Sequence, residues 1–290
     1  MNSNISKWQI YLKERSPLPA IATIGFLQSL SSNYLYPHGS VDWRGVALST
    51  FCLTLLLILM RLMDEIKDHQ KDLIAHPERP LPRGLITPAE MHVAVRNVSV
   101  LLLSIGLIVT LLRSSICGAV FIALVLYLWL MYKEFFCPVL LGKNAFFYAV
   151  THQVILIPMY VFSVAAVSPE QAFSERTLWF SLTGLGASFA FEVCRKLDPH
   201  AHPVLKTYLA LYGKAPSVIA ILLSLGLLAF SSVQIGVQQL IIPAVVLLLL
   251  FLPLVYIKPE KFKAIEGVCT LMGLIQLLSV TIQHFRNGTP

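Results

Sequence analysis

The sequence predicts an all-α integral membrane protein with nine transmembrane helices. Three observations carry that expectation. Of 290 residues, 56% are hydrophobic and only 13% are charged, with a mean hydropathy of +0.73; a soluble domain carries roughly 25% charge. The apolar runs at 98–112 and 240–255 are continuous and do not alternate, which excludes a β-barrel, whose strands alternate along about ten residues. A bilayer core about 30 Å thick takes about 20 apolar residues per helix, and the chain has room for nine such segments.

In order, the spans fall at about 18–36, 46–64, 90–112, 115–132, 146–167, 177–194, 216–232, 238–256 and 265–284. The second ends at Asp64 and the sixth carries Glu192 near its end. The fourth and eighth end on Lys133 and Lys258. These recurrences suggest one membrane domain, 1–290, with four-helix pseudo-repeats at 18–133 and 146–258 followed by a ninth helix.

The net charge of +7 reads as topology rather than as a nucleic-acid surface. Lys7, Lys13, Arg15, Lys67, Lys71, Arg79, Arg83, Lys133, Lys143, Arg195, Lys196, Lys206, Lys214, Lys258, Lys261 and Lys263 all fall on one side of the nine-span arrangement. Arg44, Arg113, Arg176 and Arg286 fall on the other. Cytoplasmic loops are enriched in Lys and Arg, so the N-terminus is expected in the cytoplasm and the C-terminus opposite. The first residues lack the short apolar stretch and small-residue site of a cleavable signal. Cys52, Cys117, Cys137, Cys194 and Cys269 have no CxxC pairing and read as small packing residues rather than disulfides or a metal site.

The stretch 61–72 holds Arg61, Asp64, Asp68 and Asp72. Carboxylates spaced by four lie about 40° apart on a helix and form one ridge. Mg²⁺ takes one or two carboxylates and keeps its other sites for water and phosphate, so such a ridge at a membrane surface suits a Mg²⁺–diphosphate. The plain alternative is a solvated helix end, with Lys67 and Lys71 pairing locally with Asp64 and Asp68. The next segment, His76-Pro77-Glu78-Arg79-Pro80-Leu81-Pro82-Arg83-Gly84, weighs against it: a stiff loop carrying two forked phosphate donors, Arg79 and Arg83.

Together the two segments resemble the UbiA superfamily of intramembrane prenyltransferases, whose first signature has the form NDxxDxxxD followed by HPxRPxPxG. Asp64 stands where that family usually has Asn. The resemblance implies a nine-helix bundle around a lipid-facing active-site cavity, an isoprenyl diphosphate substrate and Mg²⁺. The second Asp-rich motif of the family matches poorly: Glu192 takes the first acidic position, and Lys196 stands where a second Asp belongs, with Asp198, His200 and His202 beyond. The Phe191-Glu192-x-x-Arg195-Lys196 pattern and the Lys133-Glu134-Phe135-Phe136 segment are similar to atypical branches of the superfamily.

The resemblance implies Asp64, Asp68, Asp72 and Glu192 as metal ligands. Arg61, Arg79, Arg83, Lys133, Arg195 and Lys196 are the expected diphosphate contacts, with Lys196 and Arg195 supplying positive charge where a second Mg²⁺ would sit. A plain Glu192–Lys196 ion pair is the competing reading. His152 and Gln153 in the fifth span either line a cavity or hydrogen-bond between helices, and Tyr208 and Tyr212 either cap the site or belong to an interfacial belt. The implied chemistry is transfer of a prenyl group, by ionisation to an allylic cation, to an aromatic or lipid acceptor. A terpene cyclase on the same scaffold, needing no acceptor, is the alternative. A transporter is disfavoured because the acids sit at one rim rather than at midplane.

Overall fold

The computed structural model describes residues 3–36 and 40–288. Fourteen α-helices are joined by short 3₁₀ turns: α1 (Ser3–Arg15), α2 (Leu18–Tyr34), α3 (Trp43–Ala75), α4 (Pro88–Leu112), α5 (Ser115–Tyr132), α6 (Pro138–Leu141), α7 (Ala145–Gln153), α8 (Leu156–Val167), α9 (Glu175–Cys194), α10 (Tyr208–Tyr212), α11 (Lys214–Gln234), α12 (Gln238–Phe251), α13 (Leu254–Ile257) and α14 (Phe262–Arg286). Polar residues just outside the apolar runs start several of them. Asp42, Ser114, Asn144 and Ser174 each accept from a backbone N–H of the first turn, and Thr87 with Glu90 forms a reciprocal capping box on α4.

Proline explains the two broken spans. A proline ring clashes with the carbonyl four residues earlier. Pro158 therefore disrupts the helix at Val154, where α7 gives way to α8. Pro253 separates α12 from α13.

The long helices form a closed ring in which each packs on the next: α2, α3, α4, α5, α8, α9, α11, α12, α14 and back to α2. Among the described residues, eight segments are long and apolar enough to cross a membrane, with α7–α8 and α12–α13 each counting as one. The expected first span is the shorter α2, of 17 residues. Its inner face is polar: Gln28, Ser29, Ser31, Ser32 and Asn33 are buried. These side chains bond across helices, Ser29 to Ser49 on α3 at 2.8 Å, Ser32 to Ser163 on α8 at 2.7 Å, and Ser31 to the Leu277 carbonyl on α14 at 2.5 Å. Between helices that share an apolar solvent, packing and such bonds supply the association that hydrophobicity cannot.

Small residues allow the closest approaches. A Cβ on Gly184 would lie 2.3 Å from the Tyr160 ring, and one on Gly186 would lie 2.9 Å from the Ser224 carbonyl. At the end of the bundle away from Asp64, arginines tie loops to helix ends. Arg113 pairs with Asp42 and donates to the Ala166 carbonyl at 2.8 Å. Arg176 donates to the carbonyls of Leu35 and Ile235 at 3.0 and 3.2 Å.

Two elements depart from the sequence expectation. The second span runs on as helix to Ala75, eleven residues past its expected end, so the acidic ridge is a rigid extension of a membrane helix. The polar N-terminal segment forms α1, which lies against the same rim as that extension and buries Tyr11 completely.

Candidate active site

The ridge divides once it is placed in the fold. α3 ends at Ala75 and is capped by His76, just before Pro77, a residue that disfavours helix behind it. The chain then folds back, so that Arg79 Nη1 donates to both Asp72 oxygens at 2.7 Å. Asp72 is 2% exposed and fully occupied by this guanidinium. Arg83 turns away to α1, forking onto the two Glu14 oxygens at 2.9 Å each and donating to the Glu78 carbonyl at 2.8 Å. Its guanidinium holds the Glu14 carboxyl below the usual carboxylate range. Arg15 of α1 reaches the buried Glu65 of α3 at 2.7 Å, and Lys7 pairs with Glu90 on α4. Thus Asp72, Arg79 and Arg83 brace the rim, whereas Asp64 and Asp68 face the open side.

Asp64 is exposed and, among the described residues, has no hydrogen-bond or ion-pair partner. The charges it feels are those of Asp68, Lys67, Arg61 and Arg195, so the two halves of the bundle meet there. Asp68 pairs with Lys71 at 3.2 Å, both side chains about half exposed.

Lys67 does not make the expected local pair. It crosses to α5 and α7, where its ammonium donates to Tyr148 Oη at 2.7 Å, to His152 Nε2 at 3.2 Å and to the Met131 carbonyl at 3.3 Å. An ammonium only donates, so Nε2 accepts and the His152 proton sits on Nδ1, which donates to the Tyr148 carbonyl at 2.8 Å. The Tyr148 and His152 rings stack with centroids 3.9 Å apart, and Phe135 meets His152 edge-on. His152 is therefore an interhelical hydrogen-bonding residue at the edge of the site.

Phe135 belongs to an unusual turn. Glu134, Phe135 and Phe136 have φ of 49°, 50° and 56°, a left-handed conformation that costs about 1–2 kcal/mol per non-glycine residue. Packing holds it: Phe135 lies edge-on to Tyr127, and Phe136 to Trp129. The turn places the Glu134 carboxylate 3.9 Å from Lys67. Lys133 points instead over the rings of Tyr132 and Trp129, at 5.0 and 6.0 Å.

The second cluster closes on itself. Glu192 accepts from Arg195 Nε at 2.7 Å and lies 2.5 Å from Lys196. Lys196 sits over the Tyr208 ring at 5.1 Å. Tyr208 and Tyr212 both stack with Phe146, and the Tyr212 oxygen accepts from the Ala145 N–H at 2.7 Å. Burial first, then the nearby Glu192 charge, lifts the Tyr208 hydroxyl above its ordinary pKa. Asp198 caps a turn onto the His200 N–H, and His202 does the same for Val204.

Among the described residues, no three His, Cys, Asp or Glu side chains form a ready-made metal cage. Mg²⁺ does not need one: one or two carboxylates plus substrate phosphate suffice. The unpartnered Asp64, with Asp68 one turn on, fits that requirement. Glu192 fits a second ion poorly, because Arg195 and Lys196 already pair with it. The cysteines are free thiols.

An apolar groove of about 520 Å³ runs beside the second cluster, between α7, α9 and α11. Phe146, Phe189, Gly186, Ala220 and Leu223 line it. Its Phe146 end is the ring stacked under Tyr208 and Tyr212.

The model of the UbiA prenyltransferase family matches residues 26–261. The chain belongs to that family. Membership makes it a membrane prenyltransferase-type enzyme working on an isoprenyl diphosphate in a lipid environment. No curated protein and no solved structure matches it significantly. The family match begins within α2, so α1 and its contacts to Glu65, Arg83 and Glu90 lie outside it. Sequence reasoning missed Arg15, Glu65, Lys67 and Tyr148 as rim residues. The one available signal was the spacing of Tyr148 and His152 by four, which puts two polar rings on one helix face.

Proposed function

We propose that the chain transfers a prenyl group from an isoprenyl diphosphate to a hydrophobic acceptor inside the membrane. The observation that carries this reading is Asp64, an unpartnered carboxylate at the rim, within the fields of Arg61 and Arg195. Asp64 and Asp68 would hold Mg²⁺, which when bound supplies Lewis-acid neutralisation of the leaving diphosphate. Arg61 brings a guanidinium with no ion pair of its own among the described residues. Arg195 and Lys196, held by Glu192 and by Tyr208, present fixed positive charge from the opposite side. Asp72 acts through Arg79, fixing the loop that follows. The tail would lie in apolar surface, and the groove beginning at Phe146 supports a course between α7, α9 and α11. The C–O bond ionises with the electron pair leaving on the diphosphate, and the bundle keeps water from the allylic cation.

A terpene cyclase is the second reading. The stacked Tyr148 and His152 with the edge-on Phe135 and Tyr127 favour keeping it, because aromatic faces stabilise cations. Purified protein with Mg²⁺ and geranyl, farnesyl or geranylgeranyl diphosphate, with and without aromatic acceptors, tests both. Prenylated acceptor supports transfer, and cyclic hydrocarbon without acceptor supports cyclisation. No diphosphate release from any donor, or wild-type turnover by Asp64→Asn, would refute the proposed site.

The preponderance of Lys and Arg at this rim supports its cytoplasmic placement, with the C-terminus on the other side.

A further inference from the structure

Whether an acceptor or its own chain captures the allylic cation, the reaction must end by losing a proton. In capture by an acceptor carbon, a π pair of the acceptor forms the new C–C bond. The C–H pair then becomes a π bond, and H⁺ leaves. In cyclisation the same loss turns the final cation into an alkene. A proton acceptor must therefore stand near the cation without being spent on the diphosphate.

Most rim carboxylates are already committed. Glu65 is bound by Arg15, Asp72 by Arg79, and Glu192 by Arg195 and Lys196. Asp64 and Asp68 form the proposed Mg²⁺ site. Glu134 differs from all of these. Its nearest cation, Lys67, lies 3.9 Å away. All three Lys67 donors are taken by Tyr148, His152 and the Met131 carbonyl. The carboxylate is thus held in a positive field without its lone pairs being claimed by the ammonium. The Tyr148 phenol hydrogen-bonds with it and also feels Asp68 and Asp64, so Glu134 faces the proposed metal pair across Tyr148. The Glu134 side chain is 32% exposed, which gives a received proton a way out to water. Finally, three consecutive left-handed residues hold it there, clamped by Tyr127, Trp129 and His152. Such strain persists only where surrounding structure enforces it, and it clusters at functional sites.

We propose that Glu134, presented by the left-handed turn 134–136 beside Lys67 and Tyr148, is the base that takes the proton released when the product cation collapses. The proposal rests on the prenyl-diphosphate reading of the site.

The test follows diphosphate release and organic product separately in the purified full chain with Mg²⁺ and a prenyl diphosphate. Glu134→Gln keeps the shape and removes the base; product formation should fall about 100-fold or more, with diphosphate release falling much less. Glu134→Ala should be equally impaired, and added formate should restore part of its product. Unchanged product formation in Glu134→Gln overturns the proposal. So does an equal loss of product and diphosphate release with no rescue by formate, which would make Glu134 only a counter-ion for Lys67. If the wild-type chain releases no diphosphate from any prenyl donor, the underlying reading falls and this proposal with it.

Discussion

Asp64, Asp68 and Asp72 have the same chemistry and equal spacing, yet their surroundings give them different work. A carboxylate held bidentately by a guanidinium and shielded from water is a structural tie. One left exposed and unpaired is available to a ligand. Asp72→Ala should therefore behave as a stability variant. Losing one partner of a largely buried pair leaves the other charge uncompensated, at a cost of about 3 kcal/mol. The shift in thermal midpoint of detergent-solubilised protein measures it, and an unmoved midpoint would return Asp72 to the ligand set. Asp64→Asn, by contrast, should stop turnover with the midpoint little changed. Spacing by four put all three aspartates on one ridge, but no local rule says that Arg79 folds back on only one of them.

At the scale of elements, α1 and the loop 76–87 act together through Glu14 and Arg83. The folded-state pKa of Glu14 is depressed, so this tie is fully present above the ordinary carboxylate value of about 4.3. It is lost as pH falls through the lowered value. Hydrogen exchange across α1 and residues 78–85 should accelerate in that acid window and not between pH 6 and 8. Exchange that is insensitive to acid, or a Glu14→Gln variant as protected as wild type at neutral pH, would show the tie to be inconsequential. The groove between α7, α9 and α11 makes a separate prediction. Ala220→Trp should obstruct it and move donor preference from geranylgeranyl toward geranyl diphosphate, read as the ratio of kcat/KM for the two. An unchanged ratio would place the tail elsewhere. Hydrophobic runs located these helices to within a few residues. They could not reveal α1, whose polar sequence docks through Tyr11 and through ion pairs to Glu65, Arg83 and Glu90.

For the molecule as a whole, the ring of helices brings the ends of α3, α5 and α9 to one rim, and the rim's charge predicts its side of the membrane. Single cysteines at Ser6 and Gly288, in a background without the native five, should be labelled from opposite faces of sealed inverted vesicles. Labelling of both from one face would mean that an even number of helices crosses, with α2 the helix that does not. That outcome matters because α2, of 17 residues, is not among the eight segments long and apolar enough to cross and carries a polar inner face.

Composition and apolar run length sufficed to determine a helical membrane protein, because a bilayer demands internally satisfied backbone over about 20 residues and little else satisfies that demand. The paired segments at 64–72 and 76–84 sufficed to indicate the family and the neighbourhood of the site. Tertiary structure alone decided which charges are free. Fifteen acids and twenty-two strong bases allow many pairings, and geometry selects among them: Lys67 goes to Tyr148 and His152, Arg79 to Asp72, and Glu192 to its own helix. What remains is an unpartnered Asp64 facing Arg195, with Glu134 across Tyr148. That remainder is a property of packing between distant segments, which one-dimensional spacing does not encode.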